Sequence, residues 1–222
     1  MARRRSAPVK RRQYPAAGGA SRSAGSRPRL TGQDPRGCIC TWGEGRSMTS
    51  RPCFYVDESL RRGTYFLAAV AVSDPRQSSA VITALRRLPP PGTRRLHAAK
   101  ERDEVRLRAL TVLADLPVRA LVVEGHGRPA VARERCVELL LQLVAKEDAG
   151  ALVLERQDGQ EARDRRCIAR CLSRGIGPAD LGYWHEDPYG QPMLWAADMV
   201  AWAAGADRPA WRPLVSRILD RT

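Results

Sequence analysis

Two apolar strand-like segments stand next to each other in the chain before any helical pattern begins, and this order strongly constrains the fold. Residues 53–57 form a short β-like run, and residues 65–72 form a continuous apolar run typical of a strand buried on both faces. Further strands are predicted at residues 118–123, 151–154 and 181–184. Helices are predicted between and after them, at residues 77–88, 100–116, 130–145, 160–172 and 192–204. Adjacent strands followed by alternating strands and helices predict an α/β fold with a mixed sheet flanked by helices.

The first fifty residues differ from the rest of the chain in charge and composition. The whole chain has a formal net charge of +14, and residues 1–50 hold eleven Arg or Lys against two acidic residues, a net +9. Their Arg, Ser, Gly, Ala and Pro cannot bury enough apolar surface to offset the entropy of ordering. We therefore predict a disordered basic tail over residues 1–50 and one domain over residues 51–222. Met48 offers an alternative start, so the tail is either a mis-called extension or a flexible arm.

The charge and the apolar pattern also bear on partners and location. A basic tail favours contact with a polyanion, most often nucleic acid, although an Arg-rich composition can equally follow codon usage. No apolar run reaches the ~18 residues that a membrane-spanning helix needs, and the N-terminus lacks the apolar stretch of a secretory signal. The six cysteines fit no secreted disulfide framework. We expect a cytoplasmic protein that binds nucleic acid, DNA or RNA, and no membrane.

Asp198 is the acidic residue whose surroundings are most informative. In the helix predicted at residues 192–204, its neighbours three and four positions away are all apolar: Leu194, Trp195, Ala201 and Trp202. A carboxylate on such a face is expected to be partly buried, and an unpaired buried charge costs several kcal/mol. Asp198 is therefore expected to have a metal cation, an Arg or Lys, or a proton as compensation.

Two further carboxylates stand at predicted strand ends. Asp57 closes the first strand and Glu155 closes the strand at residues 151–154. If both converge with Asp198, they form an oxygen-rich pocket suited to Mg²⁺ or Mn²⁺. Two such ions can activate water and stabilise the leaving oxygen in phosphodiester cleavage. Taken singly, each carboxylate is more simply explained as a salt-bridge or capping residue, because the chain is rich in Arg.

Four short segments, in this order, resemble the domain of unknown function 3800 family. They are FYVDES at residues 54–59, LHAAK at 96–100, LVLER at 152–156 and PMLWAAD at 192–198. The resemblance covers roughly residues 53–205 and none of the tail. This chain departs from the family pattern at Leu60, Glu155 and Trp195.

The resemblance implies a ribonuclease H-like fold, because members of this family look like ribonuclease H-like proteins. Such proteins place carboxylates on the first strand, a later strand and a helix. That gives Asp57, Glu155 and Asp198 the metal-binding roles, with Mg²⁺ or Mn²⁺ as the implied cofactor.

Three more residues are candidates for catalytic roles. Glu58 directly follows Asp57. Lys100 can contact a phosphate or balance the carboxylates, although an ordinary lysine at a helix start is the simpler explanation. His185 can add a ligand or assist proton transfer, with a solvated loop histidine as the alternative.

An apolar stripe of Trp195, Met199 and Trp202 recurs at helical spacing. Core packing or an interface explains it better than base stacking, and it is the candidate face for a homo-oligomer. The sequence as a whole favours a metal-dependent nuclease or related phosphoryl-transfer enzyme. The alternative is a nucleic-acid-binding or partner-binding protein of the same fold without catalysis.

Overall fold

The computed structural model describes residues 51–219, so the predictions for the tail and for Met48 lie outside the described residues. The strands are β1 Cys53–Arg61, β2 Thr64–Val72, β3 Val118–His126, β4 Ala151–Glu155 and β5 Gly182–Glu186. The helices are α1 Ser78–Arg86, α2 Asp103–Asp115, α3 Pro129–Lys146, α4 Glu161–Ser173, α5 Pro192–Ala204 and α6 Arg212–Leu219. Short 3-10 turns occupy Pro75–Gln77, Ala98–Lys100 and Pro209–Trp211.

The strands form one five-stranded sheet in the order β3-β2-β1-β4-β5. β2 is antiparallel to both β1 and β3, whereas β4 is parallel to both β1 and β5. The sheet is therefore mixed. The predicted α/β fold class, a mixed sheet flanked by helices, is confirmed.

Each face of the sheet has its own apolar core. α1, α2, α5 and α6 pack on one face, which we call the α5 face. α3 and α4 pack on the other, which we call the α3 face. Because side chains alternate along a strand, neighbouring residues of β1 belong to different cores. Tyr55 packs on the α5 face, and Phe54 and Val56 pack on the α3 face.

β1 is longer than predicted, which changes the position of Asp57. The sequence places Asp57 at the strand end, but β1 continues to Arg61 because residues 58–61 pair with residues 64–67 of β2. Arg62 and Gly63, both with positive φ (50° and 82°), make the two-residue turn into β2. Pairing of β1 with β4 stops at Val56 and Leu154. Asp57 therefore lies just beyond the parallel part of the sheet.

The Trp195, Met199 and Trp202 stripe is buried within the chain, each residue at most 5% exposed. Trp202 packs on Trp211, with ring centroids 4.9 Å apart, and the Arg61 and Arg106 guanidinium groups each lie 4.1 Å from its ring centroid. The prediction of a homo-oligomer through this face is wrong, because the core occupies it; the core-packing alternative is confirmed. Among residues 51–219, no helix combines the length and apolar character that a bilayer crossing requires.

Candidate functional site

Asp57 is the buried centre of a group of carboxylates on the α5 face. It is 5% exposed and shares this face with Tyr55, two residues earlier in β1. The Glu58 backbone N–H donates to Asp57 Oδ1 at 2.7 Å. One lone pair of the Asp57 carboxylate is thus satisfied by its own neighbour in the chain. The other side-chain neighbours of this carboxylate include acids.

The pKa of Asp57 is raised well above its usual range. Burial is the largest cause, followed by a side-chain hydrogen bond with Glu155 and by the negative charges of Glu58, Asp198 and Glu155. Each of these contributions disfavours the ionised form. A raised pKa means that Asp57 favours a bound proton or a nearby cation over an uncompensated negative charge.

Glu155 ends β4 as predicted, and an arginine holds it. Arg95 Nη1 donates to Glu155 Oε1 at 3.0 Å. Arg95 lies in the loop between α1 and α2, and its guanidinium carbon is also 5.1 Å from the ring centroid of Tyr189. The sequence analysis did not single out Arg95, because this loop has no periodic pattern that places its side chains.

Asp198 lies on α5 and is 8% exposed, as its apolar helical neighbours predict. Its Oδ2 lies 3.0 Å from His97 Nδ1 and accepts the Ala98 backbone N–H at 2.7 Å. The His97 imidazole and the Ala98 backbone N–H therefore compensate the burial of the Asp198 carboxylate in this structure. The charge of Asp198 still contributes to the raised pKa of Asp57, which places the two acids in one electrostatic group.

Lys100 stands three residues beyond His97, at the end of the 3-10 turn Ala98–Lys100. Its side chain is exposed, and its backbone N–H donates to the His97 carbonyl at 2.9 Å. The turn that binds Asp198 thus presents Lys100 to solvent near the acidic group.

Glu58 and His185 lie on the α3 face, opposite the side chain of Asp57. Arg133 of α3 donates to Glu58, to the Tyr65 hydroxyl at 2.6 Å and, through two nitrogens, to both oxygens of Asp164 at 2.8 Å. His185 Nε2 lies 3.1 Å from Asp164 Oδ2. We call these five side chains the Arg133 network.

The Arg133 network favours the charged forms of Asp164 and Arg133, whereas the site disfavours the charged form of Asp57. Despite burial, the Arg133 guanidinium and His185 hold the pKa of Asp164 well below its usual range. Its acidic partners raise the pKa of Arg133 against the effect of burial. The structure thus groups Asp57, Glu155 and Asp198, and separates Glu58 and His185 from them by the sheet.

Sequence patterns could have revealed Arg133. It lies three and four positions before Cys136 and Val137, on the buried side of α3, and this is the same signal that identified Asp198. Asp164 likewise lies three and four positions before Cys167 and Ile168, which are buried in the α3 face.

The donor atoms at the Asp57 group suit a hard divalent cation. Asp57, Glu155 and Asp198 supply carboxylate oxygens, the ligands that Mg²⁺ and Mn²⁺ prefer, and a cation would relieve the conditions that raise the pKa of Asp57. Within residues 51–219, no three His, Cys, Asp or Glu side chains are arranged as a ready metal site. Arg95 contacts Glu155 through Oε1, and His97 contacts Asp198 through Oδ2, so two of the three carboxylates already have a partner within the chain.

Comparison with known proteins shows distant structural similarity. No family model matches the chain, and no curated protein matches it. A chain from the structure of the complex of PCNA and RNase HII from Archaeoglobus fulgidus is 15% identical to it, with a TM-score of 0.40, and the alignment covers 68% of each chain. Similarity at this level assigns neither family nor activity.

Proposed function

We propose that this protein is a metal-dependent nuclease or related phosphoryl-transfer enzyme that acts on nucleic acid. The observation that carries the proposal is the convergence of acids from β1, β4 and α5 on a buried Asp57 whose pKa is raised. A buried acid with a raised pKa beside other acids is typical of a functional site, because folding alone gains nothing from it. The proposed cofactor is Mg²⁺ or Mn²⁺, held by Asp57, Glu155 and Asp198.

The residues around these acids have distinct proposed roles. A bound divalent ion would polarise a phosphodiester and lower the pKa of an attacking water. Asp57 anchors the ion from the sheet, and the Arg95 and His97 contacts keep Glu155 and Asp198 compensated before it binds. Lys100, exposed beside this group, contacts a substrate phosphate.

Glu58 and His185 support the site from the α3 face. Both are tied to the Arg133 network, and Glu58 is adjacent in sequence to Asp57. We therefore assign them to holding the ends of β1 and β5 in place, without contact to the reacting phosphate.

Membership of the domain of unknown function 3800 family and of the ribonuclease H-like superfamily belongs to the same proposal. It is supported by the order of the four resembling segments. Three of these segments contain Asp57, Glu155 and Asp198. The fourth contains His97 and Ala98, which contact Asp198. The proposed location is the cytoplasm.

A binding protein without catalysis is the second candidate. The specific observation in its favour is that Glu155 pairs with Arg95 and Asp198 with His97 at 3.0 Å each. These pairs compensate two of the acids with groups of the chain itself.

A cleavage assay on mixed single-stranded and duplex DNA and RNA tests the proposal. Wild type should cleave in Mg²⁺ or Mn²⁺ and not in EDTA, and Asp57→Asn should lose cleavage. Asp115→Asn is the matched control, because Asp115 is an exposed acid of α2 paired with Arg217. It should cleave like wild type.

Thermal melting tests the metal separately from the substrate. A ligand that binds only the native state stabilises it by about 2.7 kcal/mol at a hundredfold excess over Kd. Mn²⁺ should therefore raise the melting temperature of wild type and of Asp115→Asn, and raise that of Asp57→Asn less. Equal responses in all three proteins, with no cleavage, would favour the binding protein.

A further inference from the structure

Tyr189 is an exposed aromatic side chain beside the acidic group. It is 60% exposed and follows β5 in the connection to α5. Its ring centroid lies 5.1 Å from the Arg95 guanidinium carbon, and that guanidinium contacts Glu155 at 3.0 Å. One arginine thus links an accessible aromatic ring to a carboxylate of the proposed site.

The turn that carries Tyr189 is held in place although the ring is exposed. The Tyr189 backbone N–H donates to Asp187 Oδ1 at 2.9 Å, and the Gly190 N–H donates to the Asp187 carbonyl at 3.2 Å. The buried indole of Trp195 donates from Nε1 to the Pro188 carbonyl at 2.5 Å. Trp195, one of the positions that departs from the family pattern, therefore fixes the position from which Tyr189 projects.

The Arg95 guanidinium has N–H donors in addition to the one that bonds to Glu155. A guanidinium carries five N–H donors in a planar fork suited to phosphate. Among the residues that the structure describes, its hydrogen-bond partner is Glu155, through Nη1. Its side chain is partly exposed, so a phosphate oxygen can reach the remaining donors.

The chain segment around Arg95 is cationic and faces solvent. Arg94, Lys100 and Arg102 are all exposed. Their charges oppose those of the carboxylates and favour a phosphate backbone at the edge of the acidic group. An aromatic ring among such cations is the arrangement that binds single-stranded nucleic acid by stacking and charge together.

We propose that Tyr189 and Arg95 form a nucleotide-binding subsite in which Tyr189 stacks on an unpaired base and Arg95 binds the adjoining phosphate. The subsite rests on the proposed function, and it deepens it by naming single-stranded nucleic acid, or a frayed end, as the substrate class. A base inside a duplex is stacked between its neighbours and offers no free face to a side chain.

The subsite also gives Arg95 two competing acidic partners. Glu155 binds it in the free protein, and a phosphate binds it when the strand is present. Moving to the phosphate frees Glu155 for a divalent ion. Strand and ion therefore assist each other's binding, and linkage makes this effect reciprocal.

Binding in EDTA tests the subsite without any chemistry. The probes are short oligothymidylate and oligouridylate labelled for fluorescence anisotropy, and the protein is the full chain. Loss of one base stack by alanine substitution costs ~1–3 kcal/mol, so Tyr189→Ala should weaken binding about five-fold to 150-fold. Tyr189→Phe should bind like wild type. Val131→Ala, which trims an exposed apolar residue of α3, should also bind like wild type.

An abasic version of the same strand separates stacking from a structural role. Tyr189→Ala and wild type should bind the abasic strand equally, because the base that the ring contacts is missing. Arg95→Gln should weaken binding to the normal and abasic strands by the same factor and make the salt dependence shallower. A Tyr189→Ala defect of the same size on both strands would overturn the stacking role.

The outcomes separate this proposal from the proposed function. Unchanged binding by Tyr189→Ala, or no binding of either oligonucleotide by wild type in EDTA, overturns the subsite, whatever the cleavage assay gives. Metal-dependent cleavage that Asp57→Asn abolishes would then still support a nuclease with a different substrate contact. Base-dependent binding without cleavage would keep the subsite and overturn the nuclease.

Discussion

The two faces of the sheet treat buried acids in opposite ways. On the α5 face, burial and neighbouring acids raise the pKa of Asp57. On the α3 face, Arg133 and His185 lower the pKa of Asp164, although Asp164 is 2% exposed and Asp57 is 5% exposed. Burial is thus nearly equal, and the partners decide the direction.

This difference suggests different roles for the two buried acids. The arrangement around Asp164 stabilises the fold, whereas the arrangement around Asp57 is suited to binding a cation. A buried acid held by two nitrogens of an arginine is compensated by the chain itself. Asp57 has Glu155 as its side-chain partner, so it needs a proton or a cation. We infer that the α3 face secures the ends of the strands, whereas the α5 face holds the acids of the proposed metal site.

The largest expected effect comes from removing Arg133. Breaking a buried ion pair by deleting one partner typically costs ~3–5 kcal/mol, and Arg133→Met leaves both Asp164 and Glu58 without their cation. Chemical denaturation at neutral pH in EDTA should show a loss of this size.

Arg165→Met is the matched control for that experiment. Arg165 is an exposed residue of α4 that pairs with Glu161 one turn away, and such pairs contribute little. Its loss of stability should be much smaller. Equal losses of unfolding free energy in the two variants would contradict the conclusion that Arg133 compensates the buried acids of the α3 face.

A smaller effect is expected from Asp198, because a backbone N–H and a partly exposed imidazole hold it. Asp198→Ala leaves the buried Ala98 N–H without its acceptor, which costs about 1–3 kcal/mol. Asp198→Asn keeps an oxygen for this N–H and should lose less. Denaturation of both variants in EDTA measures the difference, and an equal loss would mean that the charge, not the hydrogen bond, supports the fold.

The smallest expected effect is on the pH dependence of folding stability that Asp57 causes. Its folded pKa is raised above the unfolded value of about 3.9, so the native state binds more protons between the two values. Stability contributed by this group is therefore present below the unfolded pKa and declines as pH rises towards the folded pKa. Asp57→Asn removes this decline.

In EDTA, Asp57→Asn should gain stability relative to wild type as pH is raised from about 4 to neutrality, over the window set by the raised pKa of Asp57. Melting temperatures of the two proteins across this range provide the measurement. Mn²⁺ should reduce the difference at neutral pH. A difference that shrinks with rising pH would argue against a raised pKa at Asp57.

The sequence predicted the sheet and the three acids better than it predicted their partners. Periodicity gave α5 its bounds, Pro192–Ala204, and apolar neighbours correctly predicted the burial of Asp198. Arg95 reaches Glu155 from sixty positions away, and Arg133 reaches Asp164 and Glu58 across 31 and 75 positions. Local patterns carry no information about such contacts, because only the closed fold brings the segments together.

The prediction for β1 shows a second limit. Cys53, Tyr55 and Asp57 lie on one face of β1 because side chains alternate along a strand, but the sequence predicts that this strand stops at Asp57. Polar residues after Asp57 look like a turn, yet pairing with β2 extends the strand to Arg61. Glu58 could therefore not be assigned to the α3 face, where Arg133 provides its buried partner.

The alternation of β1 side chains between two cores restricts which genetic changes this chain can tolerate. Inserting or deleting one codon between Cys53 and Asp57, with the turn at Arg62 and Gly63 kept, exchanges the faces of every side chain before the change. Drift in length is therefore expected in the loops between the helices and strands. The first strand should vary among descendants of this gene only by substitution.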